Sequence, residues 1–179
     1  QYLYAEIPHD KKLVVEHYTD GDKKYVVFHS LYGRRVNDVL SRAVGYAIAK
    51  IQNRDVEVGI NDNGFFIASR QSVQVVRAFN LLKPKELRKV MERAIDKSEV
   101  LKRRFRHCAT RALMILRTYK GKTKRVGKQQ VSSMILMKAV KKISENFSIL
   151  KEARREVLED LMDIENATKV LEAITNREI

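Results

Sequence analysis

The chain has 179 residues, of which 44% are hydrophobic and 7% aromatic, and its formal net charge is +14. This is enough apolar material for a packed core, yet no run of about 18 apolar residues exists that could span a membrane, and no signal-peptide pattern opens the sequence. A single cysteine, Cys108, excludes an internal disulfide and fits a reducing, cytoplasmic setting.

The chain begins at Gln1, and Tyr2–Pro8 reads as a connecting segment, so residues 1–10 are expected to be a linker within a longer protein. Leu13–Tyr18 and Lys24–His29 are β-rich runs around Asp20-Gly21, a hairpin-turn dipeptide. Val36, Leu40, Ala43, Val44, Ala47, Ile48 and Ile51 then recur at helical spacing on one face. Val56–Ile60 and Phe65–Ala68 flank Asn61-Asp62-Asn63-Gly64 as a second hairpin. Residues 11–70 therefore read as a ββαββ part. Its imperfect strand alternation suggests a sheet covered on both faces.

Residues 71–179 read as helical. A helix over Ser72–Leu82 stops before Pro84, which suits the first turn of the next helix. Ser98 can cap a helix running to about Tyr119, followed by a loop over Lys120–Lys128. Further helices are expected over about Gln129–Phe147, Ser148–Leu161 and Ile164–Ile174. The fold class is α+β, a ββαββ unit followed by a helical C-terminal half, together one integrated domain.

The charge is concentrated in the middle third. Residues 71–130 hold 18 Lys and Arg against 4 Asp and Glu, while the segments on either side are close to neutral. Concentrated positive charge is the footprint of a polyanion site, most often a nucleic-acid backbone. The plainer reading is a solvated basic surface, in which interspersed acids would be expected.

Two basic features stand out. Arg34 and Arg35 open the first helix, where free amides favour anions and cations are locally unfavourable. They suit a phosphate clamp, or an ion pair with Asp38. The second feature comprises Lys102, Arg103, Arg104, Arg106 and Arg111 on one helix, then Lys120, Lys122, Lys124, Arg125 and Lys128 in the loop after it. Tyr119 stands at the base of that loop and suits either base stacking or the core. Aromatics are not interleaved with the charge, so backbone contact is better supported than base readout.

Catalytic signals are weak. Gly121-Lys122-Thr123 imitates the end of a phosphate-binding loop, but the first glycine of that motif is replaced by Leu116 and a helix precedes it. His9, His17, His29 and His107 lack metal-ligand spacing, and helix capping accounts for Asp160, Asp163 and Glu165 better than a metal does. No catalytic, cofactor or metal residue is assigned. No carboxylate stands out for an enzyme acting on a base.

The segment Val27-Phe28-His29-Ser30-Leu31-Tyr32-Gly33-Arg34-Arg35-Val36-Asn37-Asp38-Val39-Leu40-Ser41-Arg42-Ala43 closely resembles the hallmark of the DEAD/H-associated domain that follows the motor and winged-helix domains in Lhr-type superfamily 2 helicases. Phe105–Leu113 and Glu152–Leu161 resemble later blocks of that domain, in the expected order. The resemblance implies a parent that hydrolyses ATP with magnesium in its motor and moves 3′ to 5′ on nucleic acid. This chain would then be an accessory domain, without cofactor or catalysis of its own, gripping single-stranded DNA or RNA beside the motor and winged-helix domains. The rival expectation is a scaffold that packs on the motor and touches no nucleic acid.

Overall fold

The computed structural model describes residues 6–123 and 125–179, with Tyr119 described only in its backbone. Tyr2–Ala5, Lys124 and the Tyr119 side chain, all named above, lie outside the described residues. The chain forms two compact units, one ending at Ala94 and completed by Met162–Ile179, the other spanning Ile95–Leu161.

In the first unit β1 (Val14–Asp20) and β2 (Lys23–His29) precede α1 (Arg34–Gln52), and β3 (Glu57–Asn61) and β4 (Gly64–Ser69) follow it. The strands form one antiparallel sheet in the order β1-β2-β4-β3. This is the expected ββαββ pattern, and both hairpins close through the short turns read from sequence. α2 (Val75–Leu81), a 3-10 turn at Pro84–Glu86 and α3 (Leu87–Ile95) come next. The last helix of the chain, Ile164–Thr175, returns to pack on α1.

Val26, Phe28, Phe65 and Ile67 on the inner sheet face are buried with Val36, Val39, Leu40, Ala43, Val44, Ala47 and Ile48 of α1. The Phe28 ring stacks on Phe65 at 4.3 Å and meets Phe79 of α2 at 5.7 Å. Among the described residues the outer face is left partly open, against the covered sheet that the imperfect alternation suggested. Tyr18 is 60% exposed there, and Tyr25 and Phe66 are half-buried beside it. Phe66 breaks the alternation for a local reason. A Cβ on Gly59 would lie 2.2 Å from Phe66 Cε1, so the missing side chain on β3 is what lets that ring lie across the strand.

Asn37, fully buried in the first turn of α1, ties the sheet to the helix. Its amide donates to the carbonyls of Ser30 (2.9 Å), Asn61 (3.1 Å) and Asp62 (3.2 Å), and its oxygen accepts from Ser30 Oγ at 2.7 Å. One side chain thus satisfies backbone groups beyond β2 and in the β3–β4 turn.

In the second unit α4 (Glu99–Arg111) starts at Ser98, whose hydroxyl accepts from the Leu101 amide at 3.2 Å. It ends well before Tyr119. Leu113 turns left-handed at φ 58°, and the amides of Met114 and Ile115 bond back to the Ala109 carbonyl. No glycine marks this stop, so the helical spacing ran on past it. The expected loop is also partly ordered. β5 (Thr118–Tyr119) and β6 (Lys122–Thr123) form a hairpin whose turn residues, Lys120 and Gly121, both have positive φ. Gly121-Lys122-Thr123 is therefore hairpin, not a phosphate loop. α5 (Val126–Ile143), α6 (Ser148–Arg155) and a π-helical turn at Glu156–Leu161 complete the unit, and the Ile164–Thr175 helix of the first unit is α7.

Two ion-pair centres lock the second unit. Asp96 accepts from Lys141 Nζ at 2.7 Å and from Arg154 Nη2 at 3.3 Å, and Arg154 also meets Glu145 at 2.7 Å. Burial opposes ionisation of Asp96, but these cations outweigh it and hold its carboxyl below the usual range. Glu156, with its side chain 6% exposed, takes Arg104 at 3.5 Å and a second, closer bond from Arg111.

Two stability predictions follow from these hubs. Asn37→Asp, though nearly isosteric, should destabilise at least as much as Asn37→Ala, because it sets a carboxylate against three carbonyl oxygens. Each should cost about 2 kcal/mol or more in urea unfolding. Glu156→Ala should cost roughly 1–3 kcal/mol, below the range for a fully buried pair, because Arg111 and Arg104 can still reach water. A melting temperature equal to the parent's would show that Glu156 does not organise the unit.

Candidate nucleic-acid interface

The α4 cations separate by helical position. Leu101, Phe105, Cys108 and Ala109 form the buried stripe. Arg104 and Arg111, seven residues apart, share a second stripe directed at Glu156, and Arg111 also lies 3.3 Å from Cys108 Sγ. Lys102, Arg103 and Arg106 share a third stripe with Glu99 and line a cleft of about 250 Å³. Val126, Gln130, Ser133 and Met134 of α5 line its other side.

This cleft is chemically suited to an anion with an attached flat or apolar group. Three cations stand against one acid, Glu99, which holds Lys102 at 2.6 Å. Among the described residues Arg103 and Arg106 have no acidic partner. Val126 opens α5, whose first turn carries no acidic residue, and Arg125 and Lys128 flank it, both exposed. Free amides and cations at a helix start add to one another in binding anions. His107 registers the local field. Burial first, and then the charges of Arg106, Arg104, Arg117 and Arg111, hold its pKa below the usual histidine value.

The remaining predicted residues are distributed as follows. Lys120 and Lys122 are exposed on the β5–β6 hairpin, and Lys120 is not without a partner. Lys124 and the Tyr119 side chain lie outside the described residues. Arg34 and Arg35 are in the first unit, exposed at the start of α1, where Gly33 supplies no side-chain cap. Arg35 Nη2 donates to the Met162 carbonyl at 2.8 Å, and the Asp163 amide meets the Arg35 carbonyl at 3.4 Å. Arg35 thereby anchors the segment leading into α7. Asp38, weighed as a partner for Arg34 or Arg35, is held by Arg42 Nε at 2.5 Å.

Sequence reasoning missed Gln130, Ser133 and Met134, since neither a polar nor an apolar residue on α5 signals a facing helix. Their only sequence mark is that α5 has no strongly apolar stripe. The acids at the last helix junction are each accounted for. Asp163 caps α7 through the Asn166 amide at 3.0 Å, Asp160 meets Arg155 at 3.3 Å, and Glu165 meets Lys169 at 2.9 Å. Among the described residues no group of three metal-ligating side chains occurs, and no helix is long and apolar enough to cross a membrane.

Comparison with known proteins gives these arrangements a family. The chain is 55% identical over 175 residues to the ATP-dependent helicase Lhr-Core of Methanothermobacter thermautotrophicus, covering 97% of this chain and 20% of that protein. It is 43% identical to the Sulfolobus acidocaldarius Lhr-Core helicase over 97% of this chain and 20% of that one. It thus spans about a fifth of the length of these relatives. The solved structure of Mycobacterium smegmatis helicase Lhr bound to ssDNA and AMP-PNP matches with a TM-score of 0.83 and 28% identity, over 96% of this chain and 22% of that one. The DEAD/H associated family model matches residues 7–179. The ββαββ unit, its helical continuation and all three resembling blocks fall inside that match, and the chain belongs to the DEAD/H associated family.

Proposed function

We propose that this domain holds a single strand of nucleic acid, DNA or RNA, beside the motor of an Lhr-type helicase. The observation that carries the reading is the α4–α5 cleft, where Lys102, Arg103 and Arg106 converge on the first half of α5. Contacts there are to phosphates, which give affinity and position without reading sequence. ATP and magnesium would act in motor domains outside this chain, and the 3′-to-5′ direction would be set there. The structural relative bound to ssDNA supports the choice of ligand.

A scaffold role is the second reading, favoured by one observation. Val131, Ile135 and Ile143 of α5 are 58%, 64% and 72% exposed. That face would suit packing against another domain.

Binding by this chain to a fluorescent oligothymidylate, measured across salt, separates the two. The double variant Arg103→Ala/Arg106→Ala should melt like the parent and bind more weakly, with a log–log salt slope shallower by about 1.4, the value for two lost phosphate contacts on a single strand. Arg104→Ala should instead lower the melting temperature and leave the slope nearly unchanged. An unaltered affinity and slope in the double variant would favour the scaffold.

A further inference from the structure

The outer face of the sheet carries an aromatic row that no single stretch of sequence displays. Tyr18 on β1, Tyr25 on β2 and Phe66 on β4 are brought side by side by the antiparallel register, in which Tyr18 pairs with Tyr25 and Phe66 pairs with Val27. Ring centroids are 6.0 Å apart from Tyr18 to Tyr25 and 5.8 Å from Tyr25 to Phe66. Gly59 completes the row by leaving room for the Phe66 ring.

Beside the middle of the row lies a second cleft, of about 440 Å³, lined by Lys23, Arg54, Asp55, Glu57, Arg70 and neighbouring residues. Ala68 and Glu57 lie on its wall and pair in register with each other, and Ala68 pairs with Tyr25, so the cleft adjoins that ring. Lys23 is taken by Glu57 at 2.8 Å. Arg54 and Arg70 have no ion-pair partner among the described residues, so the cleft offers cations to a further anion.

We infer that this face is a base-stacking platform for a single strand, with unpaired bases on Tyr18, Tyr25 and Phe66 and a phosphate at Arg54 and Arg70. Three features fit that occupant together. Aromatic faces accept any base, so stacking is tolerant of sequence. The row's spacing is nearly twice the ~3.4 Å rise per nucleotide of a stacked strand, which suits bases laid out singly. The two arginines line the cleft beside Tyr25, the middle ring, where the backbone of a strand stacked on the row would pass. A tyrosine as exposed as Tyr18 is otherwise surplus to the core, which lies on the opposite face. The inference rests on the single-strand reading above but uses other residues, in the first unit, and other chemistry.

The test compares two labelled strands of equal length, oligothymidylate and an abasic sugar–phosphate strand, binding to this chain by fluorescence anisotropy. Tyr18→Ala should weaken oligothymidylate binding at least about fivefold, the low end for one lost stack, and leave the abasic strand unaffected. Tyr18→Phe should restore binding, since the ring and not the hydroxyl stacks. Arg70→Gln should weaken both strands. Tyr18 is exposed, so its variants should melt like the parent. Tyr18→Ala binding oligothymidylate like the parent, or losing both strands equally, would sink the platform and leave the face for a protein partner. If that happens while Arg103→Ala/Arg106→Ala still weakens both strands, only this inference fails. If the parent binds neither strand, the single-strand reading fails and takes this one with it.

Discussion

A carboxylate removed from water has to find cations, and Glu156 finds two on one helix. Its side chain is almost fully buried at the start of the π-helical turn, and leaving it unpaired would cost several kcal/mol. Arg104 and Arg111 meet it together, which fixes how α4 is rotated about its own axis. Once that rotation is set, the neighbouring stripe with Lys102, Arg103 and Arg106 must face α5. Structure thus consumes two of the five α4 cations at Glu156 and leaves Arg103 and Arg106 on the cleft, beside a Lys102 that Glu99 holds. Cys108, on the Glu156 side of the helix, is affected as well. Burial first, then the Glu156 charge, push its thiol up to about 11, so it stays protonated and acts as a small core residue.

The first unit has a neutral counterpart in Asn37. It lies within the Val27–Ala43 segment, one of those that resemble Lhr-type helicases, and much of that segment is packing. Phe28, Val36, Val39, Leu40 and Ala43 fill the core, and Ser30 and Asn37 bond each other inside it. Arg35 bonds the Met162 carbonyl and so joins the segment to α7. The likeness of this block is therefore first a likeness of assembly. Arg34, beside it, is exposed and lies outside this packing.

How much was legible in the sequence depended on how local each cause is. The ββαββ order was readable because turn residues and the α1 stripe act over a few positions. The α4 end was not, because Leu113 adopts a left-handed turn that a non-glycine residue does not announce. The basic centre was visible as composition, but its division was not. Arg104 differs from Arg103 only through Glu156, 52 residues away in sequence. The aromatic row was hidden in the same way. Its rings come from three strands, so charge and aromatics look separate along the chain and adjoin only after the sheet forms.

The two candidate surfaces ask different things of a strand, and the difference bears on what a holding domain needs. A cleft of cations grips phosphates and is weakened by salt, whatever the bases are. An aromatic row grips bases and is weakened little by salt, again whatever their order. Phosphates and the faces of bases are alike at every nucleotide, so neither kind of contact distinguishes one base from another. Each surface by itself would bind a strand at any position yet lock it at none, because each step along it replaces one contact by an equivalent one. Under the proposed function that indifference is what a domain holding a moving strand would need, and a domain built to recognise a sequence would have to sacrifice it.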